Sequence, residues 1–188
     1  MSQRHEFEPG EEAMLEAAKA CVLAVGVRRT TFSDVARRAG VSRMTLYRRF
    51  PDLETLLSTL MTWEFGRVVD EARAAGAGGS CRERATAMVT TAARRLHEDP
   101  LFDRLLDVDP ELLLPYVTVR LGGMQRMAVA GLAAELAAGC GDGSVRDGDP
   151  GTLARGIELL ARGFVLARDP GIDAWAELAR AVDGYLRP

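Results

Sequence analysis

Apolar residues return at helical spacing along nearly the whole chain, and the two-residue alternation of a half-buried strand is scarce. In EEAMLEAAKACVLAVG, Met14, Ala18, Cys21, Val22 and Val25 share one stripe, and Gly26 follows as a stop. TTFSDVARRAG announces a second helix. Thr31 is placed to cap it with Asp34 three residues on, and Phe32, Val35, Ala36 and Ala39 make its apolar face. Gly40 offers the left-handed residue that ends it. The chain then restarts almost at once, with Ser42 as the next N-cap and Val41 placed to staple onto Leu46. Two short helices joined through such a glycine turn form a helix-turn-helix. Pro51 closes the second of them and Asp52 caps the next. There the stripe of Leu53, Leu56, Leu57, Leu60, Val68 and Val69 predicts a long helix, ended by Gly76, Gly78 and Gly79.

Beyond residue 80 the punctuation is proline. Asp99-Pro100, Asp109-Pro110 and Asp149-Pro150 each set an N-cap acid before a proline at the first helical position. The pattern predicts helices at 81–97, 100–107, 110–121, 122–139, 151–168 and 173–186, with Pro115 kinking or dividing its helix and a loop at 139–151. Isoleucine occurs only at 157 and 172, and the β-branched run YVTV at 116–119 is short and follows a proline, so strands are nearly excluded. The expected fold is all-α: a flexible tail at 1–10, a three-helix helix-turn-helix domain at 11–52, and a larger helical domain at 53–188 in which 53–75 is a connecting helix.

Charge changes this picture. The chain of 188 residues carries a formal charge of −3, yet seven arginines lie between Arg28 and Arg49 against one acid, Asp34, while residues 51–188 hold fifteen basic and twenty-one acidic residues. A basic patch on an acidic body directs one surface toward a polyanion; the alternative is a solvated helix face. The helical wheel bears on the choice. With Leu46 and Phe50 inward, Met44 and Arg48 point away with Thr45 beside them, Arg43 and Tyr47 lie on one flank and Arg49 on the other. A major groove needs that distribution, with long donors at the centre and cationic or hydroxyl groups on the flanks.

TFSDVARRAGVS and TLYRRF, followed by Pro51 and a leucine-rich helix, resemble the DNA-binding domain of TetR-type transcriptional regulators over residues 11–63. The resemblance implies an all-helical homodimer whose second domain binds a small molecule and controls release from a pseudo-palindromic operator of double-stranded DNA. It implies that Arg43, Tyr47 and Arg49 hold phosphates, that Met44, Thr45 and Arg48 face the bases, and that Thr31 and Ser33 touch phosphate at a helix start. Ser42, the N-cap, is counted with this set. Tyr47 has the alternative of a half-buried aromatic, and Arg28, Arg29, Arg37 and Arg38 read as field-generating surface charges. Two positions depart from the family pattern: Met44 stands where many members have glycine, and Leu53 where a lysine often reaches the backbone.

Met61, Trp63, Phe65, Met88, Phe102, Tyr116, Met124 and Met127 are bulky or adaptable residues in the helices that surround the ligand cavity in this family, with plain core as the alternative. Leu153, Ile157, Leu160 and Phe164 form one late stripe and Trp175, Leu178, Val182 and Tyr185 another, while Gly156 and Gly163 would allow another backbone to approach. A four-helix dimer bundle is one reading and intramolecular packing the other.

Other classes find little support. Histidine occurs only at 5 and 97, and no GxSxG, HExxH, P-loop or GxGxxG is present, so an enzyme is not expected, nor any metal or cofactor. Asp107 and Asp109 are assigned to solvation and capping. Cys21, Cys81 and Cys140 are odd in number and widely spaced, no long uncharged apolar window occurs and the first residues lack a signal core, which together predict a cytoplasmic protein with no membrane partner. A DNA-binding or interaction protein of the same fold without ligand control is the remaining alternative.

Overall fold

The computed structural model describes residues 9–111, 114, 122–139, 142–167 and 171–188. Among these, no strand forms, and the helices include α1 (Pro9–Val25), α2 (Phe32–Ala39), α3 (Arg43–Arg49), α4 (Leu53–Ala75), α5 (Cys81–His97), α6 (Pro100–Val108), α7 (Gly123–Gly139), α8 (Pro150–Leu166) and α9 (Ala174–Leu186), with Pro110, Glu111 and Leu114 also helical. They divide into two compact units. The first holds α1–α3, α4 as far as Phe65, and α6 with the residues after it; the second holds α4 from Gly66, α5 and α7–α9. The division therefore falls inside α4 and puts α6 with the helix-turn-helix, whereas the apolar pattern suggests a break near residue 53. The predicted helix at 110–121, Pro115 and the YVTV run lie largely outside the described residues.

In the first unit, the predicted stripes meet in one core. Met14, Leu15, Ala18, Cys21 and Val22 of α1 join Phe32, Val35 and Ala36 of α2, Leu46 and Phe50 around α3, Leu56 and Leu60 of α4, and Leu101 of α6. The tail expectation needs correcting at its end, because α1 begins at Pro9 and Glu11 is buried. Asp99 caps α6 as expected, accepting the Phe102 N–H at 2.9 Å. Asp109 precedes helical Pro110 and Glu111 as expected, but it is also 2 % exposed and its carboxylate accepts the Val27 N–H at 2.7 Å. Solvation does not describe it.

The second unit is built around α5, which touches α7, α8 and α9. Ser80 and Glu83 form a reciprocal capping box at its start. Asp142 anchors the loop before α8 by accepting the N–H groups of Cys81 at 2.7 Å and Ser144 at 2.8 Å. Hydrogen bonds from the Ser144 hydroxyl and those two N–H groups hold its carboxyl down to about 2.

This packing corrects the dimer set. Leu153, Ile157, Leu178 and Val182 are all but fully buried within their own unit, because they face inward where α8 and α9 pack on α5. Gly156 admits the Tyr185 ring of the same chain. Trp175 sets its ring edge-on to His97 at 5.3 Å, and the His97 ring also reaches the Val165 carbonyl. Phe164 is half-buried, whereas Leu160 is exposed, Gly163 has open space about it, and Leu159, missed by the sequence reading, is more than half exposed on the same helix.

Candidate nucleic-acid interface

Local sequence sets both helices of the motif. The Thr31 hydroxyl accepts the Asp34 N–H at 3.2 Å and donates to the Asp34 carboxylate at 2.5 Å. That bond, then the Arg37 guanidinium, holds the Asp34 carboxyl below the usual aspartate range. α2 ends where Gly40, at φ 69°, donates to the Arg37 carbonyl and Val41 to the Ala36 carbonyl, the two bonds of a Schellman turn. Ser42 then caps α3 by accepting the Thr45 N–H at 3.0 Å, and the two hydroxyls pair at 2.9 Å. Leu46 at 0 % and Phe50 at 2 % exposure seat α3 on the core, each worth about 1.5–3 kcal/mol of burial.

That seating decides what faces outward. Met44 is 75 % exposed, and Arg43 and Arg48 are exposed and form no ion pair among the described residues. Thr45 is half-buried beside Ser42. The Tyr47 ring stacks on Phe32 at 4.5 Å between centroids with its remaining surface open. Thr31 is exposed and Ser33 half-buried at the α2 start. An apolar tip beside a guanidinium, flanked by hydroxyls and cations, is suited to base edges at the centre and phosphates at the sides.

Arg49 is placed differently. Its guanidinium pairs with Glu11 of α1, whose side chain is 5 % exposed. It therefore ties α3 to α1 before it is available to a phosphate. A cleft of about 310 Å³ beside this pair is lined by Gly10, Glu11, Met14, Thr45, Arg48 and Arg49. The only sequence signal for Glu11 was an acid in the first turn of an amphipathic helix, which most often means solvent.

A second polar cluster was also unforeseen. Lys19 of α1 bonds Glu64 of α4 at 2.6 Å, with the glutamate side chain 7 % exposed. Asp99 at the α6 start joins them; burial, then the neighbouring Glu64 charge, pushes its carboxyl up.

The predicted effector residues are divided between the two units. Phe65 and Phe102 meet edge-on at 6.3 Å in the first unit, where Met61 and Trp63 pack partly buried against the core. Met88 lies in the second unit against Gly76, and Met127 is 52 % exposed, so it is corrected to a surface residue. Tyr116 and the Met124 side chain lie outside the described residues.

A family model for bacterial regulatory proteins, tetR family, matches residues 14–60. An uncharacterized HTH-type transcriptional regulator of Mycobacterium tuberculosis is 37% identical over 179 residues, spanning 92% of each chain. Among solved structures, the TetR family repressor AlkX from Dietzia sp. has a TM-score of 0.67 at 22% identity over 95% of each chain. The regulator FadR from Bacillus subtilis, solved in complex with stearoyl-CoA, has a TM-score of 0.67 at 17% identity over 92% of this chain and 95% of its own. At those identities the structural likenesses establish the fold.

Proposed function

This chain belongs to the tetR family of bacterial regulatory proteins, and on that premise we propose that it is a ligand-responsive repressor binding a pseudo-palindromic operator as a homodimer. One observation carries the reading: Leu46 and Phe50 are buried while Met44 and Arg48 point out from the same short helix. In this role Arg48, Thr45 and Met44 meet base edges, with the Met44 thioether suited to a thymine methyl. Arg43, Tyr47, Thr31, Ser33 and Ser42 position the backbone, and Arg49 adds to them when it leaves Glu11.

One recognition helix reads few bases, so useful specificity calls for two half-sites about one turn of DNA apart. The apolar strip of α8 containing Leu159, Leu160 and Gly163 supports a dimer because it stays exposed after the internal core has closed. We assign residues 11–52 to reading DNA and residues 53–188, with 53–75 as connecting helix, to effector binding and assembly in the cytoplasm. Full derepression needs a small molecule that distinguishes the two states by about 5.5 kcal/mol.

Footprinting of the DNA upstream of the gene and its neighbours, against random duplex at moderate salt, tests the proposal. The expected result is a protected pair of half-sites that Arg48→Ala loses. Equal affinity for random duplex sinks it.

A further inference from the structure

The loop that delivers the chain into α2 is held from the end of α6. Asp109 Oδ2 accepts the Val27 N–H at 2.7 Å, its Oδ1 lies 3.9 Å from Arg28 Nε, and Arg28 Nη2 reaches Glu111 Oε1 at 2.6 Å. Gly26 sits at φ +83°, and a Cβ there would stand 2.8 Å from both Asp109 Oδ2 and Val108 Cγ1. Only glycine permits that approach. Within the loop, Thr30 is 2 % exposed, donates its hydroxyl to the Gly26 carbonyl at 2.8 Å and its N–H to the Val27 carbonyl at 3.1 Å. Thr31 follows and caps α2. Hydrogen bonds thus connect the Asp109 carboxylate through Val27 to Thr30, the residue before the α2 N-cap. Besides preceding a helix start at Pro110, this buried aspartate is committed to an N–H over eighty residues away in sequence, and such a partner is what makes burying its carboxylate tolerable.

We infer that Asp109 is a positioning residue for DNA binding: the bond from the Val27 N–H to its buried carboxylate, with Arg28 beside it, sets where α2 begins, and with it the register of α2 and α3 on the operator. This rests on the reading of those helices as the DNA-binding face.

The test uses the full chain and the DNA fragment found by footprinting. Asp109→Ala weakens that fragment's binding about tenfold or more while affinity for random duplex holds. Asp109→Asn, which keeps a side-chain carbonyl for the Val27 N–H, recovers most of the loss. A second measurement needs no variant. If the Val27 bond favours DNA, then DNA favours the bond by the same factor, so amide exchange at Val27 in the wild-type protein slows when the fragment is added. A purely structural bond would not respond. Unchanged Val27 exchange, or Asp109→Ala binding the fragment as tightly as wild type, overturns the inference. A wild-type chain that does not prefer its own upstream DNA overturns instead the reading it rests on, and the inference falls with it.

Discussion

Replacing Arg49 with alanine separates two roles that its position on α3 confounds. As a phosphate contact alone, its loss would weaken DNA binding and leave the fold untouched. Its pairing with Glu11 predicts otherwise, because the glutamate side chain is 5 % exposed and would lose its cation, while the guanidinium itself is 56 % exposed. A hydrogen bond to a charged group contributes about 1.5–3 kcal/mol net, and breaking a fully buried pair costs about 3–5 kcal/mol. Water around the guanidinium screens the pair, which brings the expected loss to about 1–2 kcal/mol. For a chain of this size that is about 2–8 °C in melting temperature. The double-mutant cycle with Glu11→Gln isolates the interaction. Arg49→Ala should be clearly less harmful in the Glu11→Gln background, with a coupling of about 1 kcal/mol in thermal or urea melts. Glu11→Gln alone should strengthen DNA binding by weakening the tie between the guanidinium and α1, and steepen the logarithmic salt slope by up to about 0.9. Melts that add within about 0.3 kcal/mol would refute the claim that Arg49 first serves to tie α3 to α1.

Arg48→Ala should cost about 1–3 kcal/mol of operator affinity and relax base preference at one position with little change in melting, whereas Arg43→Ala should weaken all sequences alike and lower the salt slope by about 0.9, both read by titrations at several salt concentrations. Asp99 holds its proton to higher pH when folded than when unfolded, because burial and then Glu64 raise it. Its contribution to stability is therefore complete below the ordinary aspartate range and is lost as pH rises through the raised value; melts across that window should flatten in Asp99→Asn, which keeps a capping oxygen. Asp142 has the opposite sign. Held down to about 2, it stabilises above the ordinary aspartate range and loses that contribution as pH falls toward 2, so Asp142→Asn should reduce the acid sensitivity of α5 amide protection.

The parts of the fold that were legible in the sequence are those governed by neighbours along the chain. Thr31, Ser42, Asp99 and Asp149 each cap the helix their position announced, since a cap is a bond between residues three apart. Leu46 and Phe50 were readable as inward because a short helix has one apolar side, and the outward direction of Met44 and Arg48 then follows from 100° per residue. The late stripes show the limit of the same argument. Leu153, Ile157, Leu178 and Val182 were correctly apolar on one face, but a stripe carries no sign of whether its partner is in the same chain or another. Here α5 covers them, leaving Leu159 and Leu160 exposed.

By itself the sequence determined the helices, their caps and which side of α3 meets solvent, because each depends on interactions closed within a few residues. Only the tertiary structure decided the partners of its isolated charges. Glu11 and Arg49, Lys19 and Glu64, Val27 and Asp109 are separated by 38, 45 and 82 positions. No local pattern links such pairs. An acid looks the same in sequence whether it faces water or is carried inside by neighbouring apolar residues, and only the closed core brings it to the group that makes its burial tolerable.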